Sequence, residues 1–110
     1  MATRKTPESY VLNACRDYLR LKGWDVTRMQ SGAVQDRRGI PVRMHEKGTA
    51  DLLAMRRFGE THMHRVIWIE CKAPNGKQSP YQKEFQKQKQ EIGQHYVVAY
   101  GIQDLENLGL

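Results

Sequence analysis

Residues 66–82 read VIWIECKAPNGKQSPYQ, an apolar strand that turns charged at its end and then runs through a turn into a helix start. Side chains alternate faces along a strand, so Val66, Trp68, Glu70 and Lys72 share one side while Ile67, Ile69, Cys71 and Ala73 share the other. The second side is apolar or small throughout and belongs in a core. The first side begins apolar and ends with an acid and a base about 7 Å apart along the strand. One reading of that E-x-K triplet is an ordinary strand end whose charges reach solvent. The other is a reactive pair fixed by the pleat.

The flanking segments favour a mixed α/β layout. Downstream, SPYQKEFQKQKQEIG reads as a helix capped by Ser79, with Pro80 in its first turn and Gln82 completing a capping box. Tyr81, Phe85 and Ile92 would form its apolar stripe, with Lys83, Lys87 and Lys89 outward. HYVVAYG, residues 95–101, follows as a short buried strand, which a βαβ crossover would set parallel to 66–72. Residues 104–110 suggest a last helical turn or two. Upstream, TADLLAMRRF and HRVIWIECKA are joined by GETHM as a hairpin. The first helix spans KTPESYVLNACRDYLRLKG, with Thr6 as cap, Pro7 in the first turn and Gly23 as the C-terminal stop. Val11, Leu12, Cys15, Tyr18 and Leu19 share its apolar face, and Glu8 points along that same face. WDVTRM, residues 24–29, is a strand, and 30–48 reads as a long polar loop of the kind that is usually functional. Trp24 and Trp68, each alternating with apolar neighbours, read as core.

At 110 residues the chain has length for one domain, 1–110, burying roughly 60–70% of its unfolded surface. Eighteen Lys and Arg against twelve Asp and Glu give a net charge of +6, a field that attracts polyanions and makes nucleic acid the first partner to consider. Cys15 and Cys71 form no C-x-x-C pair and read as buried thiols of a reducing compartment. No window is apolar enough for a membrane span, and the N-terminus lacks a signal-like apolar region. The expected location is the cytoplasm. His62 and His64 could in principle hold zinc, but with only His45 near in sequence they fit a polar hairpin tip better.

Two further acids converge on the E-x-K triplet in this reading. The hairpin brings Asp51 near the end carrying Glu70, and Glu8 comes inward from the first helix. Carboxylates gathered in a basic chain repel one another unless a cation joins them. Oxygen ligands without His or Cys suit Mg²⁺ or Mn²⁺. Lys72 would add positive charge beside a scissile phosphate. Arg37, Arg38, Arg43 and Lys47 in the 30–48 segment, with Lys77 beyond the strand, are candidate contacts to a DNA backbone.

Glu8, GTAD ending in Asp51, ECK at 70–72 and SPYQ ending in Gln82 together resemble a PD-(D/E)XK nuclease. More narrowly the pattern resembles the virus-type replication-repair nuclease (VRR-NUC) domain, from about Glu8 through Tyr100. The family usually has Pro before the motif Asp, where this chain has Ala50. The resemblance implies a restriction-endonuclease-like core, a mixed central sheet flanked by helices. It also implies that Asp51, Glu70 and the main-chain carbonyl of Cys71 hold the metal and that Glu8 reaches it or its waters. Lys72 becomes the catalytic lysine and Gln82 a site-edge residue, although Gln82 could equally be only a helix cap. Stand-alone domains of this kind resemble Holliday-junction resolvases, which work as homodimers. The expected activity is therefore metal-dependent, structure-selective DNA cleavage, with a flap, fork or single-strand nuclease and a non-catalytic basic binding module as alternatives.

Overall fold

The computed structural model describes residues 7–29, 33–35, 37–43, 46–57, 59–60 and 64–110, with the backbone alone at 33–35 and 41–43. The elements run α1 (Glu8–Leu21), β1 (Asp25–Arg28), β2 (Ala33–Gln35), β3 (Pro41–Arg43), β4 (Leu52–Arg57), β5 (His64–Cys71), α2 (Pro80–Glu91), β6 (His95–Ala99) and α3 (Ile102–Asn107). The expected hairpin is formed by β4 and β5, which pair antiparallel with Leu52 opposite Ile69. The expected crossover makes β6 parallel to β5. With β1 antiparallel to β4, the result is a four-stranded mixed sheet in the order β1-β4-β5-β6.

Both faces of this sheet are covered, which is what the near-continuous apolar run of β5 requires. Val11, Leu12, Cys15 and Leu19 of α1 and Leu105 of α3 pack with Leu52, Ala54, Ile67, Ile69 and Cys71 on one face. On the other, Phe85 of α2 packs with Trp68 and Ala50, their rim closed by Leu53 and Tyr96. The core assignments of Trp24 and Trp68 hold, at 5% and 9% exposure. The structure is an α/β fold of one mixed sheet with helices on both sides. No helix among the described residues is long and apolar enough to cross a membrane.

Gly23 ends α1 as the sequence predicts. At φ +91° it lets its own N–H reach Arg20 and the Trp24 N–H reach Leu19, the double bond of a Schellman stop. Three local expectations need correction. Pro7 is the N-cap of α1, extended at ψ 149° with no side-chain cap, and Thr6 lies outside the described residues. The 30–48 segment is not all loop, because β2 and β3 pair as a separate hairpin. Their short strands, one opened by Pro41, are too brief for alternation to reveal. Finally, Phe85 alone of the α2 stripe is buried, while Tyr81 and Ile92 are 52% and 68% exposed. Lys89 does not face outward but lies 5.1 Å from the Trp68 ring and 5.0 Å from the Phe85 ring. Its stem and charge cover aromatic surface that an apolar residue would otherwise cover.

Candidate active site

The charged end of β5 does not reach solvent. Glu70 is fully buried and Lys72 is 8% exposed, which removes the reading of an ordinary strand end. An ionised carboxylate in such a place is expensive unless hydrogen-bonded or paired, and each oxygen of Glu70 has a different answer. Oε1 accepts from the Tyr96 hydroxyl at 2.6 Å and from the Gln78 amide at 3.3 Å. Among the described residues Oε2 has no hydrogen-bond partner. The Lys72 ammonium lies 4.0 Å from it.

Asp51 sits one residue ahead of β4, so the rung after Leu52–Ile69 brings it level with Glu70. Its backbone is pinned by the Met29 N–H, which donates to the Asp51 carbonyl at 2.8 Å. The Lys72 N–H turns toward β6 and donates to Ala99. The Cys71 N–H therefore faces β4, where the Asp51 carboxylate accepts it at 2.7 Å. Burial holds the Asp51 carboxyl above its ordinary range; the Cys71 N–H pulls the other way, Glu8 and Glu70 push up, and Lys72 pulls down. Those four influences are the electrostatic signature of one shared site. Burial first, and then the bond to Glu70, push the Tyr96 hydroxyl up, so it stays a donor to the carboxylate. Contact with the Cys15 thiol, reinforced by burial, likewise pushes the Cys71 thiol up. That thiol is a neutral packing group.

Gln82 is a helix cap, and it also touches Lys72. Ser79 and Gln82 form a complete capping box at the start of α2, in which Gln82 Oε1 accepts the Ser79 N–H at 2.8 Å. The same oxygen accepts from Lys72 Nζ at 2.8 Å. Gly48 supports this arrangement from behind. At φ +90°, a Cβ there would lie 2.4 Å from the Tyr81 carbonyl oxygen and 2.9 Å from the Gln82 nitrogen. Gly48→Ala therefore combines left-handed strain with a backbone clash, and we expect it to destabilise the protein by about 2–5 kcal/mol. Urea unfolding would measure this, and a loss below about 1 kcal/mol would mean that the loop yields freely.

Glu8 needs the largest correction. It does not point into the core but is 49% exposed, with its carboxylate 3.9 Å from Lys72 Nζ. Glu8 stands in the first turn of α1, and its half-exposed carboxylate approaches an ammonium that is itself largely buried. With its acid half exposed and 3.9 Å away, this pair contributes little, and Glu8→Gln should change stability by less than about 1 kcal/mol. A thermal-unfolding comparison that gave a larger loss would make Glu8 a structural partner of Lys72.

Among the described residues, no group of three or more His, Cys, Asp or Glu side chains is arranged to hold a metal. The carboxylates that could hold a hard cation are Asp51 and Glu70, a number that Mg²⁺ sites commonly use alongside waters. Arg37 and Arg38 lie exposed in the turn between β2 and β3, and Lys77 is exposed next to Gln78. Lys47 stacks 4.1 Å over the Tyr81 ring, a placement nearer the site than its loop position suggests. The side chain of Arg43, like His45 and His62, lies outside the described residues. Tyr96, Gln78 and Gly48 were not singled out in the sequence. Alternation along 95–99 puts Tyr96 and Val98 on one face, but only the register of β6 against β5 reveals that this is the face of Glu70. No family model matches the chain, and neither a curated protein nor a solved structure does.

Proposed function

We propose that the chain is a metal-dependent DNA nuclease of the PD-(D/E)XK type, similar to the VRR-NUC domain. The observation that carries the reading is the orphaned Oε2 of fully buried Glu70, beside Asp51 and Lys72. A buried unsatisfied polar oxygen costs about 1–3 kcal/mol, a cost that a bound ligand would offset. A divalent cation would satisfy it, and when bound would neutralise charge developing on a phosphate and acidify a water.

Each protein group has a part in this reading. Asp51 and Glu70 would hold the cation with the Cys71 carbonyl, which shares a strand edge with the N–H bound to Asp51. Tyr96 and Gln78 fix the Glu70 carboxylate so that Oε2 alone is left for the ion. Gln82 and Glu8 hold the Lys72 ammonium next to the carboxylates, where it can stabilise negative charge on the scissile phosphate. Arg37, Arg38, Arg43, Lys47 and Lys77 contact the DNA backbone and position it without reading sequence. The substrate is a branched junction, cut by a homodimer, because a four-way junction calls for two symmetric nicks.

A labelled panel of four-way junction, splayed arm, flap, linear duplex and single strand, each with Mg²⁺, Mn²⁺ or EDTA, tests the reading. Cutting is expected with either metal, strongest on the four-way junction, and absent in EDTA. Cutting that persists in EDTA would sink the metal chemistry. Preference for flap, fork or single strand would replace the junction, and binding without any cutting would leave a non-catalytic module.

A further inference from the structure

Far from the carboxylates, at the opposite end of the β4–β5 hairpin, the pattern of charge inverts. Arg56 lies directly opposite Arg65, and Arg57 opposite His64. Like charges facing each other across an antiparallel pair are destabilising, and here two adjacent rungs carry basic residues only. Among the described residues no carboxylate is ion-paired with Arg56, Arg57 or Arg65.

Two of these arginines reach the same aromatic ring. The guanidinium carbons of Arg56 and Arg65 each lie 5.8 Å from the centroid of the Trp24 ring. Trp24, Arg56, Arg57 and Arg65, with Gly59 and Gly109, line a cavity of about 280 Å³. Trp24 is 5% exposed, and among the described residues its buried indole N–H has no hydrogen-bond partner. Planar guanidinium forks match the tetrahedral oxygens of phosphate in pairs. The cavity falls just under the size of small-molecule pockets, about 300 Å³ and upward, and so suits a single phosphorylated group.

We propose that this arginine cavity over Trp24 is a binding site for a phosphate group. It is separate from the Asp51–Glu70 site and does not depend on whether the protein cuts DNA. The like-charge pair explains itself in this way, since a bound anion joins the guanidinium groups that otherwise repel.

The test uses the full chain in EDTA. Inorganic phosphate should raise the melting temperature above that in sodium chloride of matched ionic strength. Arg56→Gln/Arg65→Gln should abolish the shift while leaving the phosphate-free melting temperature unchanged or higher, since a repulsive pair is gone. Arg65→Lys, which keeps the charge but not the fork, should fold normally and shrink the shift. Asp51→Asn should keep it. Anisotropy with a short labelled single strand and a linear duplex then identifies the source of the phosphate. A salt slope lowered by about 1–2 in the double variant places a nucleic-acid backbone in the cavity, and an unchanged slope assigns it to a free phosphate or phosphomonoester. The proposal fails if the wild type shows no phosphate-specific shift, or if Arg65→Lys and the double variant retain it. A double variant that melts early while the phosphate shift survives in Arg65→Lys would make the arginines supports for Trp24 instead.

Discussion

Asp51→Asn is expected to reduce cleavage at least about a hundredfold and, in the absence of metal, to make the protein more stable at neutral pH. The two effects have one cause. The Asp51 carboxyl is held above its ordinary value of 3.8, mainly by burial. A group that binds its proton more tightly in the folded state gives stability that is fully present below its unfolded pKa. That stability is lost as pH rises through the folded pKa. Metal-free wild type should therefore weaken as pH climbs from about 3.8 through the raised value, and the asparagine variant should lack this part of the slope. Asparagine keeps an oxygen for the Cys71 N–H without the charge. Mg²⁺ should reverse the comparison if it binds there as proposed, because a cation favours the ionised acid. At a hundredfold excess over its Kd it would add about 2.7 kcal/mol to the wild type and much less to the variant. Thermal unfolding across pH, in EDTA and in Mg²⁺, measures all of this. A variant less stable than wild type at every pH without metal would show that the carboxylate is there for the fold.

Lys72→Met should have the largest effect on stability. The Lys72 side chain is 10% exposed, and one of its two acid neighbours among the described residues, Glu70 at 4.0 Å, is fully buried. Removing one partner of a buried pair strands the other charge, typically at about 3–5 kcal/mol. Cleavage should fall about a hundredfold or more. Glu70→Gln in the Lys72→Met background should restore much of the stability and none of the activity, giving a coupling of about 0.5–3 kcal/mol in a double-mutant cycle. Mg²⁺ should raise the stability of Lys72→Met more than that of wild type, since the ion supplies the missing positive charge near Oε2. Additive losses in the cycle would mean that the two side chains stabilise the fold independently.

The features legible in the sequence are those set within a few residues. Alternation along 66–72 was enough to separate the core face from the face of Glu70, and Ser79, Pro80 and Gln82 marked the start of α2 by cap chemistry alone. Pairing of the 49–58 and 64–73 segments followed from their closeness in sequence, and with it the approach of Asp51 to Glu70. The rest depends on contacts between distant parts of the chain. The depth of Glu70 comes from α2 folding over the sheet face and from Tyr96 arriving two elements later. Glu8 misled because helix spacing gives a direction around an axis and says nothing of where the helix ends relative to the sheet. Gln82 could not be assigned to one role because its Oε1 has two partners, one local and one ten residues back.

That divided oxygen ties together two events that are usually separate. The Ser79 N–H and the lysine ammonium donate to the same atom, so any opening of the first turn of α2 that carries the Gln82 side chain away would remove both bonds at once. The start of a helix is in this way a latch on a single side chain.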